Sequence, residues 1–142
     1  MKKFLLWCLA SNGLAFSVSA QDVGDSIRLS KHKNVAAIQY GVASYYHDKF
    51  EGRQTANGDI FTQAKLTAAS NKFPLNCWVR VTNTRNKKSI VVRIIDRMHH
   101  LNTRLIDLSR KSAEELKFIG KGLTRVKVEY PGKKKPEEFV NN

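Results

Sequence analysis

Period-two alternation constrains this chain more than any other feature. Cys77 to Asn83 alternates apolar with polar residues, and Ser89 to Ile95 is an almost unbroken β-branched run. Leu123 to Tyr130 alternates again, with Val126, Val128 and Tyr130 on one face and Glu129 on the other. A two-residue period places side chains on opposite faces of a strand, which a helix cannot do. Ile38 to Tyr46, rich in tyrosine and small residues, reads as a further strand, and the polar Thr84 to Lys88 reads as a hairpin turn. Only Ser109 to Ile119 has helical character, capped either by a box at Ser112-Ala113-Glu114-Glu115 or by Ser109, with Gly120 as the stop. Many short strands and one short helix predict a small, closed, all-β barrel over residues 35–130.

Both ends read differently. Lys2-Lys3, the apolar stretch from Phe4 to Ala10 and the small-residue site Val18-Ser19-Ala20 form a secretory signal peptide over residues 1–20. Ser11-Asn12-Gly13 interrupts the apolar run well short of the roughly 20 residues that span a bilayer, so no stable membrane anchor is expected. Trp7 before Cys8 does not suit a lipidation signal. Cleavage after Ala20 leaves 122 residues and Cys77 as the lone cysteine. In phase with Val79 and Val81, Cys77 is expected to be a small buried residue. Residues 21–34 read as a flexible lead, and residues 131–142, with two prolines and Lys133-Lys134-Lys135, as a frayed tail.

The formal charge is +13, of which residues 21–142 carry 23 basic against 12 acidic, or +11. The charge is scattered, and no nucleic-acid motif accompanies it, so no nucleic-acid partner is expected. A basic surface suits either solubility or an anionic wall polymer. Two cysteines exclude a disulfide scaffold or a four-cysteine zinc site. No phosphate loop, dinucleotide fingerprint or nucleophile elbow is present around Ser44 or Ser70. His99-His100 lacks a patterned third ligand, and adjacent histidines are expected to point apart, so neither metal nor cofactor is expected. His32 and His47 are isolated.

Cleaving a glycosidic bond needs a carboxyl group placed to protonate the leaving oxygen. Most acids have plain settings: tails, the first helical turn, the outer face of a strand, or the polar loop of Asp48 and Glu51. Asp59, Asp96 and Asp107 remain. Asp96 follows Ile90-Val91-Val92-Arg93-Ile94-Ile95 directly, at the point where a buried strand emerges. Partial desolvation there would favour a protonated acid, while a turn-capping role has the same spacing. Alternation sends Arg97 to the face opposite Asp96. Asp59 closes the Asn-Gly turn Thr55-Ala56-Asn57-Gly58-Asp59, and Asp107 is read as a helix cap or a tie between barrel segments. Tyr40, Tyr45, Tyr46 and Trp78 are either a stacking platform for sugars or core and rim packing.

The ordered series Gly41-Val42-Ala43-Ser44-Tyr45-Tyr46, Phe50 to Asp59, Leu66-Thr67-Ala68-Ala69, Phe73-Pro74-Leu75, Val79 to Asn83, Val91 to Arg97 and Arg104 to Ser109 resembles the rare lipoprotein A family. It covers residues 40–130. The resemblance implies a six-stranded double-psi β-barrel with one short helix, as in expansins, and a lytic transglycosylase acting on peptidoglycan glycan strands. It places the catalytic acid on Asp96 and a supporting acid on Asp59, where the family usually has glutamate. Ser70 stands where a histidine is usual, and Asp96-Arg97-Met98-His99 replaces Asp-Arg-Gly-Pro, leaving His99 or His100 to supply the imidazole. Tyr45, Tyr46, Asn57, Ser70, Arg97 and His99 are the expected substrate contacts. No sporulation-related repeat follows the barrel, so septal targeting through one is not expected.

Three functions follow from these expectations. The first is a monomeric, exported transglycosylase of the periplasm or cell envelope. Asp96 would protonate the bond between muramic acid and glucosamine while the sugar's C6 hydroxyl attacks. The second is an inverting hydrolase with Asp59 as base, which needs carboxyls about 6.5–9.5 Å apart. The third is a non-catalytic, expansin-like wall-binding barrel.

Overall fold

The computed structural model describes residues 37–132; the expected signal peptide and lead over residues 1–34, and the expected tail from residue 133 on, lie outside the described residues. The long alternating runs become strands: β1 Ala37–Tyr45, β3 Trp78–Asn83, β4 Ser89–Asp96 and β6 Thr124–Tyr130. Two strands were hidden from the periodicity, β2 Thr67–Ala69 and β5 Ile106–Leu108, because three residues are too few to display a period. The six close into a barrel in the order β1-β5-β2-β4-β3-β6. Pairings β1/β5 and β2/β4 are parallel and the rest antiparallel. Parallel neighbours need crossovers, so this is no simple meander of hairpins.

The inward phase of each long strand fills the barrel. Val79, Val81, Val92, Ile94, Val126 and Val128 are fully buried and pack with Ile106 and Leu108 of the short strands. Asn83 falls in the same inward phase yet is satisfied: its amide donates to the Leu116 carbonyl at 2.9 Å and its oxygen accepts from Thr124 Oγ1 at 3.1 Å. Glu129 lies outward as expected, 3.1 Å from Lys127.

The helix is shorter than the sequence predicts. α1 spans Arg110–Glu115, and Ser109 is its cap, accepting the Ser112 amide at 3.2 Å; the Ser112 box is not the N-terminus. Lys117 turns the chain with φ 58°, and Gly120 lies within a later short turn, Ile119–Lys121. The core explains the early stop. Leu116 and Phe118 are both buried, and residues two apart do not share a helix face.

Gly41, in β1, is required by close approach. A Cβ there would stand 2.6 Å from Leu105 Cβ. Gly41→Ala is expected to destabilise the barrel by about 1–3 kcal/mol. That corresponds to a thermal midpoint lower by roughly 4–24 °C, readable by circular dichroism.

Cys77 precedes β3 and is half-buried against the core. Burial pushes its thiol from the ordinary 9.0 up to about 11. Below that pH the thiol stays protonated, so in a Cys8→Ser chain the folded protein at pH 8 should react with a disulfide reagent about a hundredfold more slowly than the unfolded chain.

Candidate active site

Asp96 is the last residue of β4, delivered to the barrel mouth by an irregularity. The β2/β4 register steps from Ala68 opposite Ile94 to Ala69 opposite Asp96, so Ile95 is an extra residue on β4. Ile94 and Ile95 are both buried, and Asp96 emerges half-buried beyond them. Bulges commonly re-aim a side chain beside a site in this way.

Three donors converge on the carboxylate. Oδ1 accepts the Ala56 amide at 2.9 Å and the Arg97 amide at 2.8 Å, and Oδ2 accepts the Tyr46 hydroxyl at 2.8 Å. None of these donors is a basic side chain. The acid is therefore held in orientation by a phenol and two backbone groups. Burial, then the Asp96 carboxylate beside it, pushes the Tyr46 hydroxyl far above the usual phenol range, so it remains a proton donor. Its ring is braced by Phe61 at 4.5 Å and Phe50 at 5.4 Å between centroids.

Tyr46, Phe50 and Asp96 border two depressions. A cleft of about 470 Å³ extends past Tyr45, His47, His99 and Asn102, and a smaller one of about 190 Å³ past Arg53, Thr55 and Phe61. Asp96 thus borders both depressions and is reachable from each. His47, Lys49, Phe50 and Asn102 were not identified from sequence as contributors to this cleft. The aromatic and basic residues just after β1 carried a signal for some of them, because β1 ends at this mouth.

The other expected site residues divide into groups. Tyr45 and His99 line the larger cleft with Tyr46 and Asp96. Tyr45 also donates to the Ile119 carbonyl at 3.2 Å, and His99 Nδ1 accepts the Leu101 amide at 3.2 Å. The two adjacent histidines do not point apart as expected: their rings face each other at 4.3 Å and 31°. No group of metal-binding side chains occurs among the described residues. Ser70 is fully buried, its hydroxyl donating to the Leu105 carbonyl at 2.8 Å, so it shapes the frame and does not line the cleft. Arg97 also borders the larger cleft, but its guanidinium turns from the Asp96 carboxylate, as alternation predicts, and donates to the Ser70 and Phe73 carbonyls.

Asn57 and Asp59 sit on the turn whose Ala56 amide holds Asp96. Asn57 binds Asp59 and Asn76, each at 2.9 Å, and Asp59 lies 3.5 Å from Arg93. Neither lines the two depressions beside Asp96. Asp107 is a tie and not the helix cap. It accepts Ser44 Oγ from β1, Arg104 at 2.8 and 3.0 Å, and Asn102 at 3.4 Å.

A closed six-stranded barrel of this mixed topology, with Asp96 and Asp107 both bordering the cleft at its mouth, is a double-psi β-barrel. Residues 38–128 match the family model described as lytic transglycolase, and the chain belongs to that family. Endolytic peptidoglycan transglycosylase RlpA of Pasteurella multocida is 49% identical over 89 residues, covering 63% of this chain and 30% of the relative. The protein of the same name from Rickettsia felis is 42% identical over 114 residues, covering 78% of this chain and 50% of the relative. The chain thus spans about a third to a half of the length of these curated relatives. Among solved structures, the Streptomyces papain inhibitor superposes with TM-score 0.54 at 21% identity, covering 66% of this chain and 94% of that one. An apo Clavibacter michiganensis expansin superposes at 0.50 and 17%, covering 65% and 49%. These two likenesses bear on the fold alone.

Proposed function

We propose that this barrel is the catalytic module of an endolytic peptidoglycan transglycosylase. The observation that carries the reading is the Asp96 carboxyl, held by Tyr46 and two backbone amides at the junction of two depressions. Two relatives that bear this activity in their names share 42–49% identity with the matched region.

In the proposed reaction, protonated Asp96 gives its proton to the glycosidic oxygen between muramic acid and glucosamine as the C1–O bond breaks. The muramoyl C6 oxygen bonds to C1, and the Asp96 carboxylate takes up the proton that the C6 hydroxyl loses. The products are a free hydroxyl on one fragment and a 1,6-anhydro ring on the other, with the acid restored. Tyr46 keeps Oδ2 aimed at the bond, while Tyr45 and His99 line the sugar-binding side. Asp59 and Asn57 support the turn that holds Asp96; Ser70 and Arg97 support the loop behind it.

The setting of Asp59 argues against the inverting alternative. Its carboxylate is engaged by Arg93 and Asn57 and does not border the depressions beside Asp96, so it is poorly disposed to activate a water there. Export through residues 1–20, action in the cell envelope as an unanchored monomer and substrate contact through the basic surface complete the reading. No described helix is long and apolar enough to cross a membrane.

Digestion of intact and peptide-stripped sacculi, with product masses read, tests the function. Anhydro-ended muropeptides are the expected product. Reducing ends would transfer the chemistry to hydrolysis, and wall binding without released fragments would leave only the adhesion role.

A further inference from the structure

We propose that Trp78 marks a second glycan-binding subsite, one disaccharide away from Asp96 along the same strand; this rests on the transglycosylase reading. A separate groove of about 330 Å³ lies on the barrel flank, lined by Pro74, Leu75, Asn76, Cys77, Trp78 and Tyr130 among others. Aromatic and prolyl surface with a few polar groups is the composition expected where sugar rings stack.

Its position joins it to the acid. Trp78 pairs in register with Arg93, and Arg93 lies two ladder steps from Asp96, about 7 Å, because Ile95 is the extra residue. With the sideways step of about 5 Å between β4 and β3 the separation is roughly 8 Å, approaching one disaccharide repeat. The surface between them is polar and hydrogen-bonded. Arg93 donates to Asn76 at 2.8 Å and pairs with Asp59, Asn57 donates to Asn76, and the neighbouring Ala56 amide holds Asp96. Arg93 and Asp59 keep 38% and 50% of their side-chain surface exposed, so both remain available to sugar hydroxyls. The loop between β2 and β3 builds both places: Arg97 clamps it at Ser70 and Phe73, and its next residues wall the groove. A chain engaged at Asp96 and continuing along β4 would reach Trp78 with its next disaccharide, so the subsite would favour long strands over short ones.

The sequence has two tryptophans, Trp7 and Trp78, so a Trp7→Phe chain reports on Trp78 alone. In that chain carrying Asp96→Asn to stop turnover, peptide-free glycan strands should shift Trp78 emission, while a single disaccharide should not. In the active chain, Trp78→Ala should lower kcat/KM on long strands by about three- to tenfold, the loss expected for one aromatic contact, with a tetrasaccharide unaffected. Trp78→Phe should recover most of the loss. Strands that co-sediment with the protein yet leave the emission unchanged would overturn the subsite. So would an emission shift produced by deleting residues 133–142 and not by glycan, which would assign the groove to the chain's own tail. Emission shifts in the Asp96→Asn chain, combined with no anhydro products from the chain that keeps Asp96, would instead count against the catalytic reading and leave the subsite standing.

Discussion

Asp96→Asn is expected to reduce release of anhydro-muropeptides by about a hundred- to ten-thousandfold, the range lost when a general acid is removed. The fold should survive. The asparagine oxygen can still accept from the Ala56 and Arg97 amides, and the Tyr46 hydroxyl can rotate to accept from the new amide instead of donating to Oδ2. A thermal midpoint within a few degrees of wild type, together with unimpaired binding to sacculi, should therefore accompany the loss. A folded variant that turns over at the wild-type rate would remove Asp96 from the chemistry.

The second large effect concerns stability. Asp107 joins β5 to β1 through Ser44 and anchors Arg104 through two bonds, while keeping only 15% of its side-chain surface. Asp107→Ala strands a buried hydroxyl and a half-buried guanidinium. The expected cost is about 2–4 kcal/mol, allowing for the solvent that still reaches Arg104. For a domain of this size the midpoint should fall by roughly 8–30 °C. Ser44→Ala should cost about 1 kcal/mol. The double variant should be less destabilised than the sum of the two, since both remove one shared interaction. Strict additivity would mean that the Ser44–Asp107 bond contributes nothing.

The sequence made the barrel legible where elements were long. β1, β3, β4 and β6 each run six residues or more, enough for inward valines to alternate with outward polar groups in β3 and β6 and for a β-branched run to mark β4. β2 and β5 gave no such signal, and their pairing with β4 and β1 is a property of the closed sheet. Helical pattern past Glu115 was misleading, because Leu116 and Phe118 reach the core by leaving the helix.

The site was legible to a similar depth. The end of an apolar run marked Asp96, and alternation separated it from Arg97. Two of its three holders are remote in sequence: Tyr46 lies fifty residues away and Ala56 forty. The bulge at Ile95 depends on what β2 does opposite it. Residue type likewise misled at Ser70, a polar residue that is entirely internal, and at Asn57 and Asp59, whose bonds run toward Asn76 and Arg93.

The central claim is that one carboxylic acid carries a proton out and back while the sugar attacks itself. Digestion of peptide-free strands in water enriched in heavy oxygen tests that most directly. The account predicts anhydro ends that carry no label from the solvent. Labelled reducing ends formed from the first turnover would contradict it, since they would mean that a water, and not the C6 hydroxyl, had reached the anomeric carbon beside Asp96.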